Sequence, residues 1–288
     1  MEYVNKQPIH AGLSGDKKYS AQSKDGRKVL LRYTDITQYE KKKAEFERMQ
    51  MAFAQGVPMC EPIGLFCEDG QVCQALGWCE GENLEEMLPV FTKEQQYEAG
   101  CKAGKILHAI HRVPAPEGLA DWYERYWGQN APRVEGFRKS GVQIEGSDRV
   151  LHFAEENREI LRGRPQCLHH GDFHAGNIIC APDGRLSVID WETIDYENWG
   201  DPWEEFNRLG NTALHAPYAA GMVRGYFDGE PPEEFWRVLA LYLCAGALML
   251  VSWAYHLQKD ELPGAVRNMR DLIENYDGMK TVVPKWYR

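Results

Sequence analysis

Residues 169–192 read His-His-Gly-Asp-Phe-His-Ala-Gly-Asn-Ile-Ile-Cys-Ala-Pro-Asp-Gly-Arg-Leu-Ser-Val-Ile-Asp-Trp-Glu, and the order of loop, strand and turn signals here decides the fold. A polar loop runs to Asn177. The apolar run Asn177-Ile178-Ile179-Cys180 reads as a strand, Pro182-Asp183-Gly184 as a turn, and Leu186-Ser187-Val188-Ile189 as the returning strand. Asp190 stands at the end of that second strand. One loop and one hairpin therefore carry Asp172, Asn177 and Asp190: two carboxylates and an amide. Asn177 and Asp190 offer hard oxygen donors of the kind Mg²⁺ prefers, and Asp172 can take a proton. A lone His-Gly-Asp would mean little, since Asp and Gly are common in turns. An ordinary hairpin with a polar loop would share the turn signals but would not need all three residues at these offsets. The histidines raise zinc as an alternative. Against it, His170 and Asp172 lie in a loop, without a helical HExxH register or a nearby thiolate.

The pattern H-G-D-x₄-N…I-D resembles the catalytic core of the aminoglycoside phosphotransferase and choline kinase family, small-molecule kinases with a protein-kinase-like fold. The resemblance implies that Asp172 is the base orienting an acceptor hydroxyl, and that Asn177 and Asp190 hold Mg²⁺ on the phosphates of ATP or GTP. His170 is similar to the histidine that braces the catalytic loop in such folds.

Composition agrees with a globular protein, with 43% hydrophobic and 26% charged residues. The net charge of −10 argues against nucleic acid as a partner, which needs a basic face. It fits a cationic small molecule, although acidity also serves solubility alone. The eight cysteines form no CxxC pair and read as free thiols of a reducing cytoplasm. The start, Met1 to Pro8, has no apolar run of the signal-peptide kind. Val238 to Leu257 is apolar and long enough to span a bilayer. It reads better as a helix buried on all sides, so no membrane contact is expected.

Along the chain, three antiparallel strands are expected at Ile9–Leu13, Lys18–Ala21 and Lys28–Tyr33, with Asp25-Gly26 as a hairpin turn. A helix over Ile36–Ala54 follows, with Tyr39, Phe46, Met49 and Phe53 at helical spacing. Strands at Pro62–Cys67 and Gln71–Trp78 complete the set. Helices are then expected at Glu94–His111, Asp148–Leu161, Pro202–Leu209, Glu233–His256 and Ala265–Tyr276. The fold class is therefore α+β, a bilobal protein-kinase-like fold. Its N-lobe, 1–80, would carry a five-stranded antiparallel sheet with one helix and bind nucleotide. Its C-lobe, 81–288, would be mainly helical, with the catalytic loop and the acceptor site. Gly81 reads as the hinge.

The resemblance also locates the nucleotide machinery. Gly12, Ser14 and Gly15, within Ala11–Tyr19, match the short nucleotide loop of aminoglycoside phosphotransferases, where backbone N–H groups meet phosphate; a plain hairpin turn would look the same. Arg32 stands where the family usually has lysine. Arginine keeps the charge with a different geometry. Lys28 is an alternative, but lies four residues along the strand. Glu45 is the chosen helix partner for Arg32, with Glu47 and Glu40 as alternatives. Ala75 to Gly81 resembles the hinge, Leu76 lining the adenine pocket and the backbone of Gly77 and Cys79 bonding the base.

The ten residues Trp191–Gly200 between Asp190 and Asp201 are too few for a peptide-docking segment, and neither Asp-Phe-Gly nor Ala-Pro-Glu is present. Asp201-Pro202-Trp203-Glu204 reads as a helix start, with Asp201 as N-cap. Glu205 takes the place of a family aspartate that braces the catalytic loop. Asp195, Glu197 and Trp199 are the first candidates for the acceptor site, followed by the aromatics Trp122, Tyr123, Tyr126 and Trp127. The reading is thus a phosphotransferase acting on a hydroxyl of a small cationic molecule, with an aminoglycoside-type antibiotic favoured. A metabolic kinase for choline, ethanolamine, a sugar or a hydroxy amino acid is the alternative. A catalytically silent nucleotide-binding protein is the alternative of another class. The oligomeric state is left open.

Overall fold

Period-two burial builds the first sheet. In β3 (Lys28–Asp35), Val29, Leu31 and Tyr33 are buried with Ala21 on β2 (Lys17–Ser23) and Cys73 and Ala75 on β5 (Gln71–Gly77). Leu30 and Arg32 therefore face the opposite side. With β1 (Tyr3–Ile9) and β4 (Pro62–Glu68) the strands form an antiparallel sheet of order β1-β2-β3-β5-β4. Helix α1 (Tyr39–Ala54) packs on β4 and β5. The computed structural model describes residues 2–10, 15–191, 198–211 and 215–288.

The five-stranded sheet and its helix stand where the sequence placed them, except for the first strand. β1 ends at Ile9 rather than starting there. It is an edge strand whose middle residues are all exposed, so it carries no hydrophobic alternation to read.

The chain divides into two compact units, each assembled from two stretches: Met1–Met87 with His170–Ile194, and Leu88–His169 with Asp195–Arg288. The loop and hairpin that carry Asp172, Asn177 and Asp190, expected with the second part of the chain, pack in the first unit. There β8 (Ile178–Cys180) lies between β9 (Leu186–Val188) and the short β6 (Glu82–Asn83). Gly81, read as the hinge, has φ +137°, and a side chain there would collide with the Cys180 carbonyl, so only glycine fits.

The other unit is helical. Thr92 opens α3 (Lys93–His111) with a reciprocal capping box to Gln95. α4 (Trp122–Ser140), α5 (Ser147–Asn157), α6 (Ala216–Phe227), α7 (Glu233–Leu257) and α8 (Leu262–Asn275) follow. α7 is long and apolar enough to cross a membrane, but 72% of its most apolar stretch is buried, packed by α4, α5 and α8. Helices α4 and α6 are not anticipated in the sequence reading. Gly128, Pro132 and Gly136 weaken the signal of α4, and Gly221 and Gly225 that of α6. The α6 glycines have a packing reason: with Gly100 and Gly104 they let the backbones of α3 and α6 touch, where any side chain would clash. Trp122 and Trp127 are buried core residues, so these candidate acceptor aromatics act in packing, whereas Tyr126, also buried, lines a cavity of the helical unit. The helix expected over Pro202–Leu209 is a 3-10 segment at Glu204–Asn211. Asp201 does cap its approach, its Oδ1 accepting the Trp203 N–H at 3.0 Å.

Candidate active site

The loop before the hairpin is held by His170. Its ring is fully buried, its Nε2–H donates to the Ile189 carbonyl (2.9 Å), and its Nδ1 accepts the Asp172 N–H (3.3 Å). One nitrogen facing a carbonyl and the other an N–H fixes the neutral Nε2–H tautomer. Phe173 and Trp191 pack on the ring, with centroids at 5.9 and 4.8 Å. His170 thus joins the Asp172 loop to the strand end that carries Asp190.

Asn177 completes the link. Its Nδ2 donates to the Asp172 carbonyl (2.9 Å) and to Asp172 Oδ2 (3.1 Å), which leaves Oδ1 as its donor atom for a cation. The Ile189 N–H donates to the Asn177 carbonyl at 2.9 Å, and β8 and β9 pair Ile178 with Val188. Asn177 and Asp190 are therefore brought side by side by backbone pairing. His174 stands with Nε2 3.4 Å from Asp172 Oδ2. Its Nδ1 accepts the Gly176 N–H at 3.1 Å. Asp190 sits at φ +60°, a left-handed conformation that costs energy in a non-glycine residue and aims its carboxylate away from the strand.

Arg32 meets that carboxylate from β3. Its Nη1 donates to Asp190 Oδ1 at 2.7 Å, while Nε and Nη2 grip Asp16 Oδ2 at 3.1 and 2.8 Å. Burial disfavours the guanidinium charge, but Asp190 and Asp16 outweigh it and hold its pKa above the ordinary value. Burial likewise pushes Asp16 up, yet the Thr34 hydroxyl, Arg32 and Lys42 hold it below the usual carboxylate range. The ion pair expected between Arg32 and Glu45 is replaced by another arrangement. Glu45 stands 3.1 Å from Lys42 Nζ, at an angle that gives an ion pair without a hydrogen bond, and Lys42 also reaches Asp16 at 3.4 Å. Burial raises the Glu45 pKa despite Lys42. The sequence reading missed Asp16, Lys42 and Lys18. Lys42 was discoverable, because it lies three residues before Glu45 on the same helical face. Lys18 Nζ lies 4.0 Å from Asp190 Oδ2, and its only prior sign was its place opposite Arg32 in the β2–β3 register. The alternative cation, Lys28, sits over the Trp78 ring at 3.7 Å and beside Glu80, at the far end of β3.

A cavity of about 370 Å³ opens over this face of the sheet, within the range of small-ligand sites. Leu30, Leu76, Ile179 and Ile189 give it an apolar wall, and Lys18, Arg32, Asn177 and Asp190 line its polar side. Gly77, Trp78 and Cys79 lie along it. The Gly77 N–H is taken by the Glu61 carbonyl at 2.8 Å, so only the Gly77 carbonyl can serve a bound base. Gly15 is described and has open space around its Cα. Gly12, Ser14, Asp195 and Glu197 lie outside the described residues. Trp199 lies in the helical unit and is buried in β10 (Trp199–Gly200), paired with β7 (Cys167–Leu168). Its carbonyl accepts from Arg125 Nη1 at 2.8 Å, a structural position. A second cavity, of about 270 Å³, lies in the helical unit, lined among others by Tyr126, Asn130, Arg133, Glu204 and Arg208.

Comparison with known proteins agrees with this geometry. A model described as "Phosphotransferase enzyme family" matches residues 6–238. The curated 3-deoxy-D-manno-octulosonic acid kinase of Xylella fastidiosa (strain M12) is 26% identical over 135 residues, 45% of this chain and 49% of that protein. The chain thus spans about half the length of the curated relative it matches. Among solved structures, an ADP-bound aminoglycoside phosphotransferase APH(2'')-Ib superposes with a TM-score of 0.60 at 13% identity, over 100% of this chain and 95% of that one. An amicoumacin kinase bound to AMP-PNP and Ca²⁺ gives 0.60 at 12% identity, over 96% and 90%. A putative fructosamine-3-kinase from Thermobifida fusca gives 0.60 at 18% identity, over 93% and 94%. These likenesses show the kinase-like fold expected from the sequence.

Proposed function

The chain belongs to the phosphotransferase enzyme family, and we propose that it moves the γ-phosphoryl group of ATP or GTP to a hydroxyl of a small molecule. The observation that carries the reading is the joining of Asp172, Asn177 and Asp190 by hydrogen bonds and strand pairing, the last two facing one cavity with Arg32 and Lys18. Asp172 orients the hydroxyl and accepts its proton as the new P–O bond forms and the nucleoside diphosphate leaves. Asn177 Oδ1 and the Asp190 carboxylate are the hard donors that fit Mg²⁺, which when bound neutralises charge on the phosphates. Arg32 and Lys18, paired with Asp190 in the free protein, turn to the phosphates when nucleotide arrives. Their fixed positive charge meets the phosphate oxygens in a partly desolvated cavity. The apolar wall at Leu30, Leu76 and Ile189 suits a base. The glycine loop with Gly12 and Ser14 belongs to the same proposal.

For the acceptor, a cationic aminoglycoside-type molecule is supported by the net charge of −10, and solved neighbours include gentamicin and streptomycin complexes of aminoglycoside phosphotransferases. A second reading, a metabolic kinase acting on a sugar, is favoured by the kinase of an acidic sugar among the relatives. Cysteines free of disulfides among the described residues support a cytoplasmic setting. The test is Mg²⁺-dependent release of ADP or GDP across aminoglycosides, macrolides, choline, ethanolamine, neutral sugars and sugar acids. Acceptor-stimulated release that is lost in Asp172→Asn is expected, and the stimulating class decides between the two readings. Tight nucleotide binding with no stimulation by any acceptor, from a protein equally silent in both forms, would point instead to a silent kinase fold.

A further inference from the structure

The helical unit holds a second group of chemistry-bearing side chains that the phosphotransfer reading does not use. His111 ends α3, Cys167 lies in β7, and His169 follows β7 directly. Their donor atoms all lie within 4.8 Å of one another. The three residues are only 9%, 5% and 6% exposed. Glu205, 5% exposed, brings Oε2 to 3.0 Å from His111 Nε2. From these residues we infer that His111, Cys167 and His169 form a buried site for a zinc-class divalent transition metal, with the Glu205 carboxylate beside His111.

Several features of the surroundings fit a metal better than a plain core. His169 Nε2 lies 3.0 Å from the Asp201 carbonyl, which can only accept, so Nε2 carries the hydrogen and Nδ1 keeps a lone pair. Nδ1 has the Glu204 carboxylate 3.9 Å away and is the remaining ligand atom. On His111 the Nδ1 atom is 3.0 Å from the Tyr226 hydroxyl, leaving Nε2 to face the cluster beside Glu205. Each imidazole therefore has an outer hydrogen-bond partner that fixes its orientation, the arrangement usual behind metal-binding histidines.

Charge points the same way. A divalent ion on one thiolate and two neutral imidazoles, with the Glu205 carboxylate beside His111, is neutral overall, which is what a site this buried requires. Sulfur and imidazole select a zinc-class ion over Mg²⁺ or Ca²⁺. Closed off from solvent, such a site is structural rather than catalytic. Binding releases the Cys167 thiol proton to solvent, while neutral His111 binds through Nε2 with its proton on Nδ1 toward the Tyr226 hydroxyl, and the ion enters as the chain folds. Zinc was set aside in the sequence reading for lack of a nearby thiolate. Cys167 stands two residues before His169, and His111 arrives only through the fold.

The test is to express the full chain in cobalt-supplemented minimal medium and, separately, with zinc, and to measure metal content and absorbance as purified. About one ion per chain is expected, with intense tetrahedral Co²⁺ bands and a thiolate-to-cobalt charge-transfer band in the near ultraviolet. Cys167→Ser should lose that charge-transfer band, whereas Cys67→Ser, at an exposed thiol, should keep it. Only traces of metal in the wild-type protein from both media would overturn the site, as would a charge-transfer band that survives in Cys167→Ser. Should Cys167→Ser fail to fold, the wild-type stoichiometry and band decide alone. Because the readout needs no nucleotide or acceptor, it stands or falls apart from the phosphotransfer reading.

Discussion

Two arginine–aspartate pairs sit one in each unit, Arg32 with Asp190 and Arg164 with Asp201. Arg164 forks onto both Asp201 oxygens at 2.7 and 2.9 Å and lies over the Trp203 ring at 3.8 Å. Asp201 is fully buried and also accepts from the Tyr242 hydroxyl at 2.7 Å, which accepts from Trp122 Nε1 at 2.8 Å. Both Asp201 oxygens are met by protein donors, so the carboxylate is closed off from solvent. Arg32 gives Asp190 a single nitrogen and shares its other edge with Asp16, while the Asp190 side chain is 30% exposed on the cavity. The same residue types thus serve two ends. A closed network fixes structure, because opening it strands a charge. An open one can exchange protein partners for a ligand's charges, since water and ligand can replace what is given up.

Four measurements bear on that contrast, from the largest effect to the smallest. Asp172→Asn is expected to lower acceptor-stimulated turnover by about 10²–10⁴-fold with an unchanged thermal midpoint. A stability loss in step with the activity loss would make the loop structural after all. Arg164→Ala is expected to cost about 3–5 kcal/mol in urea unfolding, because it leaves Asp201 buried and unpaired. Arg32→Ala, at the open pair, should cost much less, and equal costs would erase the distinction between the pairs.

The third concerns Glu204, whose pKa is pushed up to about 7 by burial and then by the charge of Glu205. Between the ordinary carboxyl value of 4.5 and that raised one, the folded chain binds more protons than the unfolded chain. Stability should therefore fall by about 2–3 kcal/mol as pH rises through this window. Glu204→Gln should flatten the loss in unfolding curves taken at acid and at mildly alkaline pH; an unchanged slope would place the charge elsewhere. Last, Arg32→Lys keeps the charge but loses the second edge toward Asp16. About a tenfold fall in kcat/KM for nucleotide is expected, with no change in acceptor preference.

Legibility followed the same division. The Asp172–Asn177–Asp190 unit was readable because a loop and one hairpin hold it within twenty residues, and turn chemistry places such residues without distant help. The Arg32 cluster was read only in part. Asp16 comes from the segment before β2, Lys42 and Glu45 from α1, and Asp190 from the hairpin, so their meeting depends on how sheet and helix pack. That packing gave Arg32 to Asp16 and Asp190, and left Glu45 to Lys42. Trp122 and Trp127 looked like ligand-facing aromatics from composition alone, and burial decided otherwise.

What the sequence determined by itself is local: the period-two strands of the first sheet, the apolar face of α1, the capping box at Thr92, the length of α7, and the hairpin that sets two carboxylates and an amide at fixed offsets. Each follows from backbone geometry over a few residues. Only the tertiary structure decided the partners of buried charges, the contact of α3 and α6 through their glycines, and the meeting of His111, Cys167, His169 and Glu205. Those contacts join residues far apart in the chain, and their energies exist only once the intervening helices have packed and excluded water.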